Sequence, residues 1–217
     1  MTQHMQRELD KWKKMILSLA AVVEESVQQA VRSLERLDGP LAEQVIANDD
    51  QVDQMEVDLE EECLKILALH QPVAADLRFI VSVLKINNDL ERICDLAVNI
   101  AERTLGVAAE GRVPVPFDVA QMGQKVQTML EKALDALVNA DLQAARAVFE
   151  LDDEVDAIHK CNYQLVKEQI RRKPERIDSL IQYTSVSRHL ERIADLATNI
   201  AEDIVYMIEG EIVRHTY

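Results

Sequence analysis

Glycine and proline are scarce, five of each in 217 residues, and aromatic residues make up only 4%. Strands and tight turns draw on all three, so the shortage argues against a sheet protein. No apolar run approaches the ~20 residues that cross a bilayer. The nearest candidate, Met15 to Val23, follows Glu8 and Asp10 and continues as a helix face through Val27, Ala30, Val31 and Leu34, unlike a cleaved signal peptide. Positive charge is in deficit: 24 Lys and Arg against 39 Asp and Glu leave a net charge of −15. Nucleic acid is therefore excluded as a partner, because a polyanion is held by basic residues that neutralise phosphates. The expected partners are cations or basic protein surfaces. The three cysteines, Cys63, Cys94 and Cys161, are odd in number, far apart and set among apolar residues. They are expected to be buried free thiols in a reducing cytoplasm. A glycine-rich phosphate loop is missing, and no Ser or Cys stands beside a recognisable base.

What the chain does have is Ala, Leu, Val, Glu and Gln at helical spacing, with 48% apolar residues. The fold class is all-α. A first helix is expected over roughly 6 to 37, with Leu9, Trp12, Ile16, Leu19, Val23, Val27, Ala30, Leu34 and Leu37 on one face, closed by Asp38-Gly39-Pro40. A second runs over roughly 41 to 70 and a third over roughly 73 to 105. Gly106, Gly111, Pro114 and Pro116 then read as a linker. After it the pattern begins again. The segment from Ser26 to Asp53 matches that from Thr128 to Asp156 in periodicity, with Asp49, Asp50 and Asp53 meeting Asp152, Asp153 and Asp156, and Pro174 opens the sixth helix as Pro72 opens the third. Six long helices in two tandem three-helix bundles from an internal duplication follow, divided as residues 1–108 and 109–217.

The closest internal repeat is LERICDLAVNIAE, from Leu90 to Glu102, against LERIADLATNIAE, from Leu190 to Glu202. The two differ only where Cys94 faces Ala194 and Val98 faces Thr198. At about 100° per residue, Leu90, Ile93, Ala97, Ile100 and Ala101 form a core stripe, while Glu91, Asp95, Asn99 and Glu102 form a second stripe that packing does not dictate. Glu191, Asp195, Asn199 and Glu202 repeat it. The middle helices add Asp49, Asp53, Glu56 and Glu60 in the first half, and Asp152, Asp156 and His159 in the second. Carboxylates one turn apart repel by a few tenths of a kcal/mol per pair. Hard cations bridged by oxygen ligands would relieve that crowding, and His159 would add a nitrogen donor suited to zinc, iron or nickel. Asn99 and Asn199 are weak ligands, better suited to orienting neighbouring groups. The competing view is a solvated acidic face balanced by Arg78, Arg92, Arg103 and Arg192. His189 projects away from the stripe, and His4, His70 and His215 sit near helix ends or termini; none is expected to bind metal. A ferritin-like di-metal oxidase or store is disfavoured, since only Asp156-Ala-Ile-His159 approaches its Glu-x-x-His signature.

The twin motifs, together with Gln71 to Arg78 (QPVAADLR) and Asn199 to His215 (NIAEDIVYMIEGEIVRH), resemble the PhoU family, accessory regulators of bacterial phosphate uptake. The resemblance covers nearly the whole chain. It implies two three-helix bundles, no catalysis, a cytoplasmic homodimer without a membrane span, and multinuclear metal ions (iron, zinc, manganese or magnesium) on Glu91 and Asp95 and on Glu191 and Asp195. It further implies a negative regulator that links a phosphate ABC transporter to a sensor histidine kinase, reaching the membrane only through the transporter. Leu196 departs from the family pattern, where His is common, and Cys94 and Ala194 stand where Gly is frequent. With these departures the resemblance does not imply the same metal or nuclearity at both sites, and His159 in place of Glu56 adds to the asymmetry.

Overall fold

A computed structural model describes residues 3–110 and 113–211, with side chains from Arg7 onward; Gly111, His215 and the side chain of His4 lie outside the described residues. All regular structure among the described residues is helical. Helix α1 (Gln3–Arg36) buries Leu9, Trp12, Ile16, Leu19, Val23, Val27, Ala30 and Leu34 along one side, as its spacing requires. It stops at Leu37, whose φ of 51° is left-handed. Asp38 then caps the next helix, accepting a hydrogen bond from the Leu41 amide at 3.1 Å, with Pro40 in the first turn.

The expected second helix is interrupted at one residue. It divides into α2 (Gly39–Ala47) and α3 (Asp49–His70) at Asn48, whose amide bonds back to Gln44 O. The run Asn48-Asp49-Asp50 is helix-start chemistry, acids favouring the positive end of a new helix dipole, so α3 begins afresh there. Helix α4 (Ala74–Ala109) runs past the expected end at 105, carrying Gly106 inside it against the Gln182 side chain. Gly106 is thus packing rather than linker, and the connection begins only at Glu110. The second half repeats the plan with α5 (Val119–Asn139), α6 (Leu142–Arg172) and α7 (Ile177–Glu209), a 3-10 turn Pro174–Arg176 preceding α7. Asp118 and Asp141 cap α5 and α6 through the amides of Gln121 and Gln143.

Two three-helix units result, joined by α4 against α7 and α1 against α5. Lys85 meets Asp203, and Arg103 meets Gln182, so α4 and α7 run antiparallel. The apolar core is continuous across both units, from Leu9 to Val205. Trp12 is fully buried, with its indole N–H donating to Leu59 O at 2.9 Å and its ring edge-on to Phe79. Cys63 and Cys94 are buried free thiols, but Cys161 is exposed, contrary to expectation. The buried side of α6 runs through Val155, Asn162 and Val166, and Cys161 sits a rotation of about 100° away from Asn162. No described helix is long and apolar enough to cross a membrane.

Candidate metal centres

The stripe on α4 divides as its periodicity demands: Leu90, Ile93, Ala97, Ile100 and Ala101 are fully buried, while Glu91 is half-buried and Asp95 exposed. Helix α3 packs beside α4 and brings its own acidic row to the same place. Asp49, Asp53 and Glu56 stand near Glu91 and Asp95, and each affected group shows it. The Asp49 carboxyl is pushed up by partial burial, then by Asp53 and Asp95. That of Glu91 is pushed up by burial, then by Asp95, Asp53, Glu56 and Asp49. Asp95 is raised by desolvation and Asp53, with Arg92 opposing.

The second half builds the same bay from α6 and α7. Asp152 is raised by burial, Asp156, Asp153 and Glu191. Asp195 keeps its solvent contact, yet its carboxyl is pushed up to about 6 by desolvation, then by Glu191, Asp152 and Asp156, with Arg192 opposing. Of the residues named from sequence, the structure therefore gathers Asp49, Asp53, Glu91 and Asp95 in one bay and Asp152, Asp156, Glu191 and Asp195 in the other.

The remaining candidates stand apart. His159 turns its Nδ1 to Ser187 Oγ at 3.0 Å, and Ser187 also accepts from Asn162 Nδ2 at 3.1 Å. Asn99 donates from Nδ2 to the Asp95 carbonyl at 2.7 Å. Asn99 and Asn199 line a groove of about 350 Å³ between α4 and α7 with Arg92, Asp95, Arg192 and Asp195. Glu102 is exposed beside Arg103, at 4.0 Å, and Glu202 borders an adjoining depression with Lys85 and Asp203, which shares Arg92 and Asn199 with the groove. Of the arginines expected to balance the acids, Arg103 reaches Glu102, whereas Arg92 and Arg192 favour the charged forms of Asp95 and Asp195 without closing to an ion pair or hydrogen bond among the described residues.

Some functional side chains escaped the sequence reading. Asn87 donates from Nδ2 to Glu56 O at 3.1 Å and Oε1 at 3.4 Å. With α4 and α7 offset by one hundred residues, Ser187 is the counterpart of Asn87, and His159 is that of Glu56. Each half thus fixes the same position from the same neighbour with different chemistry. The two differences within the motif behave alike. Cys94 sits against Asp49 in the first half, and Thr198 sits against Asp152 in the second, each favouring the charged carboxylate. Thr198 Oγ1 makes no well-formed hydrogen bond there.

The donor set suits a hard cation: oxygens only, mutually repelling, with Asp49 Oδ1 buried and unpartnered. Among the described residues no three Asp, Glu, His or Cys side chains already surround one point, so a cation would be taken up by side-chain rotation rather than by a ready-made cage. The bays open at the surface between paired helices, which is not the enclosed bundle interior of a di-metal oxidase.

The PhoU domain model matches residues 16–104 and again 119–204, one copy per three-helix unit. This chain belongs to the PhoU family. The duplication that organises the fold and the bays is therefore the PhoU repeat itself. A PhoU relative in Pseudomonas aeruginosa, named phosphate-specific transport system accessory protein PhoU homolog, is 38% identical over 99% of this chain and 89% of its own. One of the same name in Aquifex aeolicus is 37% identical over 97% of this chain and 96% of its own. The crystal structure of PhoU from Pseudomonas aeruginosa superposes with a TM-score of 0.93 at 38% identity, over 95% of this chain and 99% of that one. That of the phosphate transport system regulatory protein PhoU from Streptococcus pneumoniae gives 0.85 at 31%, over 96% and 99%.

Proposed function

We propose that this chain is a cytoplasmic, non-catalytic negative regulator of phosphate uptake, acting as a metal-binding adaptor between a phosphate ABC transporter and a sensor histidine kinase. The observation that carries this is the end-to-end likeness to relatives named as accessory proteins of phosphate-specific transport, over 99% of the chain in the Pseudomonas aeruginosa case. The paired carboxylate bays supply the chemistry. Asp49, Asp53, Glu91 and Asp95 would hold cations in the first half, and Asp152, Asp156, Glu191 and Asp195 in the second. A bound multinuclear centre of iron, zinc, manganese or magnesium would supply positive charge that cancels the crowding and ties α3 to α4 and α6 to α7. Without that charge the carboxylates repel one another across the packed faces of α3 with α4 and of α6 with α7. A homodimer is part of the reading, and docking on the transporter brings the protein to the membrane surface without a span of its own.

The test is complementation of a deletion strain. The intact chain should restore repression of a phosphate-starvation reporter in high phosphate. Asp95→Ala with Asp195→Ala should lose both repression and most of the metal found by elemental analysis. A chain that leaves the reporter induced overturns the regulatory reading. The absence of three converged ligands favours a second reading, a metal-free scaffold whose acidic rows dock basic surfaces. It is distinguished by repression lost in the double variant while metal content is unchanged.

A further inference from the structure

The antiparallel α4 and α7 present an outer surface whose two ends are related by the duplication, and they are not alike in charge. At one end stand Lys85, Asp89, Glu202 and Asp203, with Lys85 bonded to Asp203 at 3.2 Å. Their counterparts at the other end, one hundred residues along, are Ser185, His189, Glu102 and Arg103, and Asn88 is replaced by Arg188. Of these four exchanges three raise the charge (His189 for Asp89, Arg188 for Asn88, Arg103 for Asp203) and one lowers it (Ser185 for Lys85), so on balance an acidic end becomes a basic one. Arg103, Arg188 and Arg192 all act on the His189 ring, so the four lie together. By helical spacing Arg188 precedes Arg192 by one turn, and Arg103 follows Asn99 by one turn, so the basic end adjoins the groove of about 350 Å³ that Arg92 and Arg192 line together with Asp95 and Asp195.

On a chain of net charge −15, unpaired arginines are the exception. Yet among the described residues Arg92, Arg188 and Arg192 make no ion pair or hydrogen bond, and Arg103 Nε is buried without a partner. Desolvation raises the carboxyls of the two groove aspartates, and crowding from behind raises them further, Asp95 by Asp53 on α3 and Asp195 by Glu191, Asp152 and Asp156, while Arg92 and Arg192 favour their charged forms without closing to an ion pair. The diffuse negative charge of the rest of the protein is screened within about 8 Å at physiological salt, so a ligand inside the groove senses chiefly what lines it. Guanidinium forks match the oxygens of a tetrahedral oxyanion in pairs, and asparagine amides add neutral donors.

We infer that the α4–α7 groove is a metal-independent binding site for a tetrahedral phosphate oxyanion, held by Arg92 and Arg192 with Asn199 beside them and approached along Arg188 and Arg103. The groove shares Asp95 and Asp195 with the carboxylate bays, but the oxyanion site needs no metal in them, so binding by metal-free protein tests it apart from them.

Isothermal titration of the full chain, stripped of metal with chelator, tests it. Inorganic phosphate is one titrant, and ADP is a second source of the same phosphoryl chemistry. At least one should bind with a Kd of about 1 mM or tighter. Arg92→Gln with Arg192→Gln should weaken that binding by at least about tenfold. Arg146→Gln, which removes a surface arginine bonded to Glu209 at 3.1 Å, should leave it unchanged. Thermal melts of each variant establish that it is folded. Phosphate binding identifies the free ion as the occupant, and binding of ADP alone identifies a nucleotide phosphoryl group. Failure of both titrants to bind up to about 10 mM overturns the inference. So does binding that survives the arginine double variant, or that appears only when metal is restored.

Discussion

Asp195 is the side chain on which the electrostatics of this protein weigh most visibly. Its carboxyl, with a folded value of about 6 against an ordinary 3.8, binds a proton more tightly in the folded chain than in the unfolded one. Its charge therefore opposes folding above pH 6, and the opposition fades as pH falls from about 6 toward 4. Asp49, Glu91, Asp95 and Asp152 are shifted in the same direction. Metal-free protein should thus melt higher at pH 5 than at pH 7. Asp195→Asn should stabilise the folded chain at pH 7 by a fraction of a kcal/mol, because the group is solvent-exposed, and so raise the melting temperature there; the gain should be smaller at pH 5 and nearly gone at pH 4. Thermal denaturation in chelator across that range checks both. A melting temperature that falls steadily below pH 7 would show that the carboxylates are not crowded.

Among the elements, α4 and α7 form the main seam between the halves and α1 adds its packing on α5, and two contacts of α1 make sharp predictions. Trp12 is wholly buried and satisfies the Leu59 carbonyl. Trp12→Ala should cost about 3–5 kcal/mol in denaturant titration, a cavity and an orphaned carbonyl together. On α5, a Cβ placed at Gly123 would lie 2.6 Å from Val31 Cγ1. Valine on a helix has essentially one side-chain rotamer, so it cannot swing clear. Gly123→Ala should therefore destabilise by about 1–2 kcal/mol although alanine is the better helix former, and adding Val31→Ala should recover most of the loss. Helix faces such as that of α1 were legible in the sequence because periodicity alone decides which side is buried. The break at Asn48 was not, since Val45 and Val52 keep helical spacing across it. Gly106 read as a breaker because nothing local reveals that Gln182, far along the chain, packs over it. The carboxylate stripes were legible for a different reason: duplication marked outward residues that packing leaves free. Their supports were hidden. Asn87 reaches Glu56 across 31 residues and Ser187 reaches His159 across 28, and only the register of two packed helices brings them together.

For the whole molecule, the continuous core decides how the repeats behave. Since α4 packs on α7 and α1 on α5, neither unit can lose its structure without exposing apolar surface of the other. Heating should give one transition, with calorimetric and van't Hoff enthalpies equal, in spite of the two family repeats. Two resolved calorimetric peaks would contradict the shared core. The antiparallel seam has an electrostatic consequence as well. Arg92 and Asp95 ride on adjacent turns of α4, one toward the seam and the other also toward α3, as Arg192 and Asp195 do on α7. Both aspartates and both arginines border one groove, so a cation taken up in either bay would alter the charge facing the helix across the seam.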